Sequence, residues 1–321
     1  MLIKQLGLKK YAKTASYIVQ NMANERFPFY ASFKVTRRCQ YTCEFCNCWR
    51  GPKNDLSTED CIAILQNLGR SSIHMVSFEG GDPLMRDDLL TLLEESHRQP
   101  FYTMLTTSQK NLLSYPFSEY EKYVDFLEVS IDEGHGNLDY FDILEDINAF
   151  DMVLCVQTVV RQSDILEMEW KVKRCAEAGC KILLMPAVIL EEGKYHFPDF
   201  DVFEAEVMRI KKEFQGTIIT PKAYFLHMKQ ATGGCSPNSI LIDADGSLIY
   251  PCRTLDWKTV KLQERDLMEY LASEDAHDKR DTMKNCTKRC GWYQHFATSG
   301  FTNPIDFWDA FSPYFKDFLR K

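Results

Sequence analysis

The sequence of 321 residues lacks several features that would place it in particular classes of protein. It contains no run of 18 or more apolar residues, so no segment is predicted to span a membrane. Its N-terminus has neither the uninterrupted apolar core nor the small-residue cleavage site of a signal peptide. A formal net charge of −8 argues against nucleic-acid binding as the main function. Internal repeats and low-complexity segments are also absent from the sequence.

The twelve cysteines would suggest disulfides in a small secreted protein. Here they are spread over a long chain, and several lie at the spacing of metal ligands, which favours a reducing, cytoplasmic location. The seven histidines do not cluster, and only His295, close to Cys290, is retained as a candidate site residue. Five other cysteines share no spacing and are predicted to be buried thiols: Cys48, Cys61, Cys155, Cys175 and Cys180.

Three cysteines, Cys39, Cys43 and Cys46, lie within eight residues in the pattern C-x3-C-x2-C. Thiolates are soft ligands, and three from one loop can hold an iron–sulfur cluster while leaving one iron without a protein ligand. A structural zinc site needs a fourth protein ligand. Cys48 is awkwardly placed to supply it, because it lies only two residues from Cys46. A zinc knuckle and unrelated free thiols are the alternatives to a cluster.

Hydrophobic periodicity predicts six strands that alternate with helices. This alternation is typical of a parallel β/α unit, here a partial (β/α)6 TIM-like barrel. Such units bind ligands at the carboxyl ends of their strands, where the cysteine loop, Gly80-Gly81-Asp82-Pro83 and the Ser130–Asp132 turn are all predicted to lie. The predicted strands are 27–35, 73–78, 101–107, 123–131, 152–160 and 181–189, and the predicted helices are 56–69, 86–97, 138–150, 165–179 and 201–214.

The pattern changes after about residue 220, where a small α+β extension is predicted. Residues 240–242 and 248–250 read as the strands of a hairpin with Asp245-Gly246 in its turn, followed by a charged helical stretch over 263–283. The hairpin would bring Cys235 close to Cys252, and a single turn would bring Cys286 close to Cys290. Four thiolates suit either a second iron–sulfur cluster or a structural zinc ion.

The two ends of the chain are predicted to be helical. Residues 1–25 form an amphipathic helix with several lysines, which we expect to pack on the end of the barrel. A basic amphipathic helix can also lie on a membrane surface, which would make the protein peripheral to a membrane. Residues 296–321 carry an aromatic stripe at helical spacing, which is expected to pack against the body. The predicted domains are therefore a core over 26–220 and an extension over 221–295, flanked by these two segments.

The cysteine loop, with Phe45 just before Cys46, resembles the cluster loop of the radical S-adenosylmethionine (SAM) superfamily. The resemblance covers about residues 30–220 and implies a [4Fe–4S] cluster on Cys39, Cys43 and Cys46 whose open iron binds SAM. In this family an electron from the cluster cleaves SAM to methionine and a 5′-deoxyadenosyl radical, which abstracts a hydrogen atom from the substrate. A reducing partner such as flavodoxin or ferredoxin would supply the electron.

The resemblance also implies a set of SAM contacts. Gly80, Gly81 and Asp82 match the family's Gly-Gly-Glu-Pro stretch, which holds the methionyl amine, although aspartate reaches one methylene less far than glutamate. Ser130 and Asp132 resemble the residues that contact the ribose and the methionyl carboxylate. Three further residues are candidates for the same cavity or for cradling adenine: Thr107, Gln157 and Met185.

Residues 221–295 resemble the twitch extension, a shorter relative of the SPASM extension, which carries an auxiliary cluster. This implies a second [4Fe–4S] cluster on Cys235, Cys252, Cys286 and Cys290 that passes electrons rather than binding substrate. The extension favours modification of a peptide or oxidation of a small molecule, and a lipid is a further alternative. The competing class is a non-enzymatic metal or redox sensor, which would need no SAM pocket.

Overall fold

The computed structural model describes Ser16 and residues 27–187, 197–222, 224–225, 237–287 and 292–293. Outside the described residues lie the predicted helix over 1–25 except Ser16, the tail over 296–321, and Cys235, Cys290 and His295. None of the helices within these ranges combines the length and apolarity needed to cross a membrane.

Six parallel strands form the core of the molecule, each paired with the next strand along the chain. Helices or helical turns connect them, which confirms the predicted α/β architecture of a parallel, barrel-like unit. The strands start and end within a few residues of their predicted bounds. They are β1 (Tyr30–Thr36), β2 (Met75–Gly80), β3 (Tyr102–Thr107), β4 (Phe126–Ser130), β5 (Val153–Val160) and β6 (Lys181–Pro186).

The connecting helices cover one face of the sheet. Ser57 caps the first helix: its side chain accepts a hydrogen bond from the Asp60 amide at 3.1 Å. The helix predicted over 138–150 is wrong in form: a 3-10 turn over Leu138–Asp142 precedes a single α-helical turn. The helices are α1 (Thr58–Arg70), α2 (Leu89–Arg98), α3 (Phe117–Tyr120), α4 (Leu144–Ile147), α5 (Met168–Glu177) and α6 (Phe200–Glu213).

Side chains alternate between the two faces of the parallel strands. One set, which includes Phe33, Phe78 and Leu105, is fully buried in a single hydrophobic cluster with the helices. The other set points away from the helices and is mostly polar, with Lys34, Glu79 and others on this inner face. The helix-packed face therefore supplies the hydrophobic core, and the inner face supplies polar side chains for a candidate site.

The extension continues the same sheet. Strand β7 (Ser239–Ile242) pairs in parallel with β1, and β8 (Ser247–Ile249) and β9 (Lys258–Lys261) follow in antiparallel order. The predicted hairpin is confirmed, with Gly246 in its turn at φ +81°. Strand β9 was not predicted, because its only apolar residue is Val260 and lysines stand at both ends.

Two helices, α7 (Leu267–Leu271) and α8 (Glu274–Lys284), complete the described part of the extension. The predicted helical stretch over 263–283 is interrupted at Ser273, whose side chain caps α8 by accepting from the Ala276 amide at 3.3 Å. Asn67 of α1 ties this region to the core. Its buried amide donates to the Leu262 carbonyl at 2.8 Å and accepts from the Leu267 amide at 3.0 Å.

Candidate functional site

The cysteine loop leaves the carboxyl end of β1 and is compact. Cys43 is buried, Cys39 and Cys46 are half-buried, and the Cys46 amide donates to the Cys43 carbonyl at 3.1 Å. Backbone amides also approach two of the sulfurs: Tyr41 N lies 3.4 Å from Cys39 Sγ, and Cys48 N lies 3.4 Å from Cys46 Sγ. Such donors favour the thiolate form and are usual around iron–sulfur clusters.

The donor set fits an iron–sulfur cluster in its chemistry: three thiols on one loop, two of them already receiving N–H donors. Within the described residues, no three Cys, His, Asp or Glu side chains are arranged to hold a single metal ion. A cluster differs from a single ion in taking one thiolate on each of several irons.

The turn after β2 is hydrogen-bonded to the base of this loop. Gly81 N donates to the Thr36 carbonyl at 2.8 Å, and Asp82 N donates to the Arg38 carbonyl at 2.7 Å. A Cβ on Gly80, which has φ +147°, would lie 2.2 Å from the Thr36 oxygen, and a Cβ on Gly81 would lie 2.0 Å from the Arg38 oxygen. Only glycine allows this close approach of two backbones.

Asp55 also holds the base of the cysteine loop, through Thr36 and Arg38. Its carboxylate accepts from Thr36 Oγ1 at 2.6 Å and from Arg38 Nε at 3.0 Å, and Arg38 also forms an ion pair with it at 2.7 Å. Lys53 donates to the Arg37 carbonyl at 2.8 Å. The loop is therefore fixed at its entry by β1, the glycine turn and Asp55 together.

The Asp82 carboxylate is fully buried and bonded within the chain. It accepts from Leu84 N at 3.0 Å, from Ser108 N at 2.9 Å and from Thr107 Oγ1 at 2.9 Å. Burial raises the pKa of Asp82, and the hydrogen bonds from Ser108, Thr107 and Leu84 oppose that rise. In this structure Asp82 and Thr107, two predicted SAM contacts, bind each other and tie the end of β2 to the end of β3.

Asp132, beyond the end of β4, is also fully buried and holds a histidine that the sequence did not single out. Its Oδ1 accepts from the His135 amide and contacts His135 Nδ1, both at 2.9 Å. Burial alone would lower the pKa of His135, but hydrogen bonds to Asp132 and to the Cys43 thiol raise it to about 10. His135 therefore links the β4 turn to the cysteine loop.

Aromatic contacts reinforce that link. The His135 ring meets the Tyr41 ring edge-on with centroids 5.3 Å apart, and the Phe45 ring at 5.5 Å. A Cβ on Gly134 would lie 2.0 Å from the Phe45 ring, so the β4 turn packs directly on the cysteine loop. The three motifs expected at the carboxyl ends of the strands thus meet at one edge of the sheet.

The remaining predicted contacts lie on the inner face. Ser130 is half-buried at the end of β4 and is in register with Gln157 on β5. The Gln157 amide donates to Glu128 Oε2 at 2.5 Å, which directs it along the sheet. Met185 is half-buried on β6, in register with Val159.

Two glutamates on the inner face, Glu79 and Glu128, were not predicted as site residues. Glu79 accepts from Tyr30 Oη at 2.8 Å and from Ser32 Oγ at 2.5 Å. Burial raises the pKa of Glu128 to about 7; the negative charge of Glu79 adds to that rise, and the Thr106 hydroxyl opposes it. Burial likewise raises the pKa of Glu79.

The raised pKa of Glu128 predicts a stability difference that depends on pH. A carboxyl whose folded pKa exceeds its unfolded value contributes stability below the unfolded pKa, and this contribution is lost as the pH rises through about 7. Between pH 4.5 and 7.5 the free energy of unfolding of the wild type should therefore fall relative to that of Glu128→Gln, by on the order of 1–3 kcal/mol. Urea unfolding of both proteins across this range measures it. A constant difference would contradict the assignment.

Two cysteines of the extension lie within the described residues. Cys252 is buried after β8, and Cys286 is half-buried after α8. The neighbouring Arg253 donates to Asn47 Oδ1 at 2.8 Å, which brings this segment against the cysteine loop. Cys61, Cys155, Cys175 and Cys180 are buried thiols as predicted, whereas Cys48 is only half-buried.

Comparisons with known proteins agree with this geometry. The family described as the Radical SAM superfamily matches residues 33–200. The structure of SuiB from Streptococcus suis bound to precursor peptide SuiA aligns with a TM-score of 0.66 at 14% identity, over 88% of this chain and 74% of that one. Native anSMEcpe with bound AdoMet and Cp18Cys peptide aligns with a TM-score of 0.62 at 15% identity, over 91% of this chain and 98% of that one. Because the family match spans just over half of the sequence, the chain belongs to the radical SAM superfamily.

Proposed function

We propose that this protein cleaves SAM reductively at a [4Fe–4S] cluster bound by Cys39, Cys43 and Cys46, and that it acts on a peptide. The observation that carries the proposal is the pair of hydrogen bonds between the glycine turn and the base of the cysteine loop. Gly81 N donates to the Thr36 carbonyl at 2.8 Å, and Asp82 N donates to the Arg38 carbonyl at 2.7 Å. This arrangement places three soft ligands and a side-chain-free backbone together at the carboxyl ends of parallel strands, where such folds bind ligands.

The protein's own groups position the cofactors. Cys39, Cys43 and Cys46 would hold the cluster, and Gly80 and Gly81 would let SAM approach the backbone. When bound, the cluster would supply the electron for reductive cleavage of SAM, the step that provides the radical for hydrogen abstraction. The rings of His135, Tyr41 and Phe45 pack together on one side of the loop and would limit the access of water to it.

A peptide substrate is supported by what two similar structures contain. SuiB is bound to its precursor peptide and anSMEcpe to a peptide, and both share this fold over most of the present chain. Oxidation of a small molecule is the alternative within the same chemistry. The lipid alternative depends on segments 1–25 and 296–321, of which the structure describes only Ser16. The sensor alternative is disfavoured by membership in a superfamily of enzymes.

The experiment that tests the proposal is SAM cleavage by the anaerobically reconstituted protein, reduced with dithionite. We expect 5′-deoxyadenosine and methionine in equal amounts. Protein that carries a full set of iron and forms no 5′-deoxyadenosine would overturn the proposal. A candidate peptide deuterated at the reacting carbon should transfer deuterium into 5′-deoxyadenosine, and a small molecule that did so instead would replace the peptide.

Asp82 gives a sharper test of the SAM pocket. In Asp82→Asn one carboxylate oxygen becomes an NH2 group. This group would face either the Leu84 amide, or the Ser108 amide and the Thr107 hydroxyl. In each case a buried donor loses its acceptor. We expect a loss of about 1–3 kcal/mol in the free energy of unfolding and weaker SAM binding by calorimetry. Asp87→Asn, on an exposed residue of the same segment, is the control and should change neither. Unchanged SAM affinity in Asp82→Asn would remove this residue from the pocket.

We further propose that Cys235, Cys252, Cys286 and Cys290 hold an auxiliary [4Fe–4S] cluster. Two observations support this. Cys252 adjoins Arg253, which contacts Asn47 next to the cysteine loop. The other three thiols have the spacing of metal ligands. An electron leaving a substrate radical would then have an acceptor near the site. Structural zinc is the competing occupant of four thiolates.

Iron analysis of protein purified without oxygen distinguishes the two occupants. We expect about eight irons and eight sulfides per chain, with no stoichiometric zinc, because two four-iron clusters are proposed. The quadruple Ala variant of these cysteines should fall to about four irons and cleave SAM slowly without completing turnover. One zinc and four irons per chain would show that the second site is structural.

A further inference from the structure

The inner face of the sheet carries a chain of polar contacts across β2, β3, β4 and β5. Ser77 Oγ lies 3.1 Å from Thr106 Oγ1, and Thr106 Oγ1 donates to Glu128 Oε2 at 2.9 Å. Gln157 donates to the same oxygen at 2.5 Å. Glu79 stands on β2 beside Ser77, held by Tyr30 and Ser32 of β1. Two carboxylates therefore share one buried surface, on the face opposite the helices.

This surface has an excess of negative charge at its β4 side. The buried cation Lys34 is on β1, in register with Glu79, and Lys181 on β6 donates to the Gly216 carbonyl at 2.9 Å. Among the described residues, no lysine, arginine or histidine forms an ion pair with Glu128. Within the described residues, the Glu128 carboxylate accepts two hydrogen bonds, and both go to Oε2. Oε1 is therefore available to a ligand.

The position of the pair fits a substrate subsite. Glu79 immediately precedes Gly80, and Glu128 is two residues before Ser130, so both lie just below the strand ends where the cysteine loop sits. Parallel strands in register place them two strand spacings apart, about 10 Å between backbones, with Thr106 between them. A cationic group entering from the open end would meet both carboxylates.

We propose that Glu128 and Glu79 bind a cationic nitrogen of the substrate, an ammonium or guanidinium group, and thereby set the substrate class. The proposal rests on the proposed function, because it supposes that the substrate enters the site next to SAM. With a cation on Oε1 and the Thr106 and Gln157 donors on Oε2, the buried Glu128 carboxylate is fully satisfied. Both oxygens of Glu79 already accept from Tyr30 and Ser32, so Glu79 contributes its negative charge to the subsite. Peptides with a lysine or arginine side chain near the reacting carbon have the required chemistry.

The test uses small probes, since the substrate itself is unidentified. Methylguanidinium and methylammonium are titrated by calorimetry into the full-length, reconstituted protein with SAM bound, and N-methylurea serves as the neutral isostere. We expect both cations to bind and N-methylurea to bind at least about tenfold more weakly. Equal binding of charged and neutral probes, or binding of none of them, would overturn the proposal.

Variants assign the binding to the carboxylates. Glu128→Gln should weaken binding of both cations at least about tenfold, and Glu128→Asp, which keeps the charge, should recover part of it. Glu145→Gln, on an exposed position of α4, is the matched control and should bind like wild type. Cation binding unchanged in Glu128→Gln would refute the assignment. If circular dichroism shows that Glu128→Gln does not fold, Glu79→Gln replaces it, with the same tenfold criterion.

Failure of this inference and failure of the proposed function give different results. SAM cleavage by the wild-type protein without any probe tests the function alone. Protein that cleaves SAM but does not discriminate the cationic probes keeps the function and loses this subsite. Protein that binds the cations through Glu128 but never cleaves SAM keeps the subsite and loses the reaction.

Discussion

Replacing Cys39, Cys43 and Cys46 together by alanine is expected to abolish formation of 5′-deoxyadenosine. The three thiols are the only proposed protein ligands of the SAM-binding cluster, and they lie on one loop whose amides already point at two of the sulfurs. Without them no thiolate remains on this loop except Cys48, and one ligand cannot hold a four-iron cluster. The loss should therefore be complete rather than graded.

The same variant should retain about four irons per chain, because the cysteines of the extension lie in separate segments. The measurement is iron and sulfide content together with SAM cleavage, both under strictly anaerobic conditions. Cys175→Ala removes a buried thiol near the end of α5, just before β6, and is the control, with iron content and SAM cleavage expected to be unchanged. A triple variant that cleaved SAM at the wild-type rate would refute the assignment of the loop.

The sequence predicted the fold through local patterns that tertiary contacts did not override. Buried parallel strands read as short apolar runs, and Ser57 and Gly179 stand at the helix boundaries where caps and stops are usual. Strand β9 has no such run, since lysines occupy both its ends, and it is a strand only because β8 offers a free edge. The 3-10 turn before α4 also gave no distinct signal: buried Phe141, Leu144 and Ile147 repeat every three residues, which fits either kind of helix.

The site was predictable only where its residues adjoin in sequence. The spacing of three cysteines and the Gly80-Gly81 pair are local, and each demands a particular chemistry or backbone approach. His135 reaches Cys43 across 92 positions, and nothing in its neighbourhood marks it except the glycines on either side. Glu79 and Glu128 are single acids within apolar strands, and their pairing through Thr106 exists only once β2, β3 and β4 are in register.

Burial changes how two of the predicted SAM contacts are understood. Asp82 and Asp132 are fully buried, and each accepts several hydrogen bonds from its own surroundings. Carboxylates in such positions hold loops in place, since their removal leaves buried donors unsatisfied. We therefore propose that both support the pocket by fixing its walls, Asp82 between β2 and β3 and Asp132 between the β4 turn and His135.

Gly81→Ala is expected to disrupt the site severely. The new Cβ would lie 2.0 Å from the carbonyl oxygen of Arg38, and this atom belongs to backbone that cannot rotate away. The turn and the base of the cysteine loop must then separate, which breaks the hydrogen bonds from Gly81 to Thr36 and from Asp82 to Arg38. We expect a loss of about 2–3 kcal/mol in the free energy of unfolding, together with loss of the first cluster and of SAM cleavage.

Gly179→Ala is the matched control, because it separates general destabilisation from damage to the site. Gly179 has φ +71° at the end of α5, so alanine there is strained by about 1 kcal/mol, but its nearest neighbour, Asn148 Nδ2, is 3.9 Å from the added Cβ. This variant should lose some stability to urea and keep wild-type iron content and SAM cleavage. Gly81→Ala, in contrast, should keep about four irons, those of the auxiliary cluster, and form no 5′-deoxyadenosine. If Gly81→Ala instead retained about eight irons and normal SAM cleavage, the close packing of the glycine turn on the cysteine loop would not be what holds the first cluster.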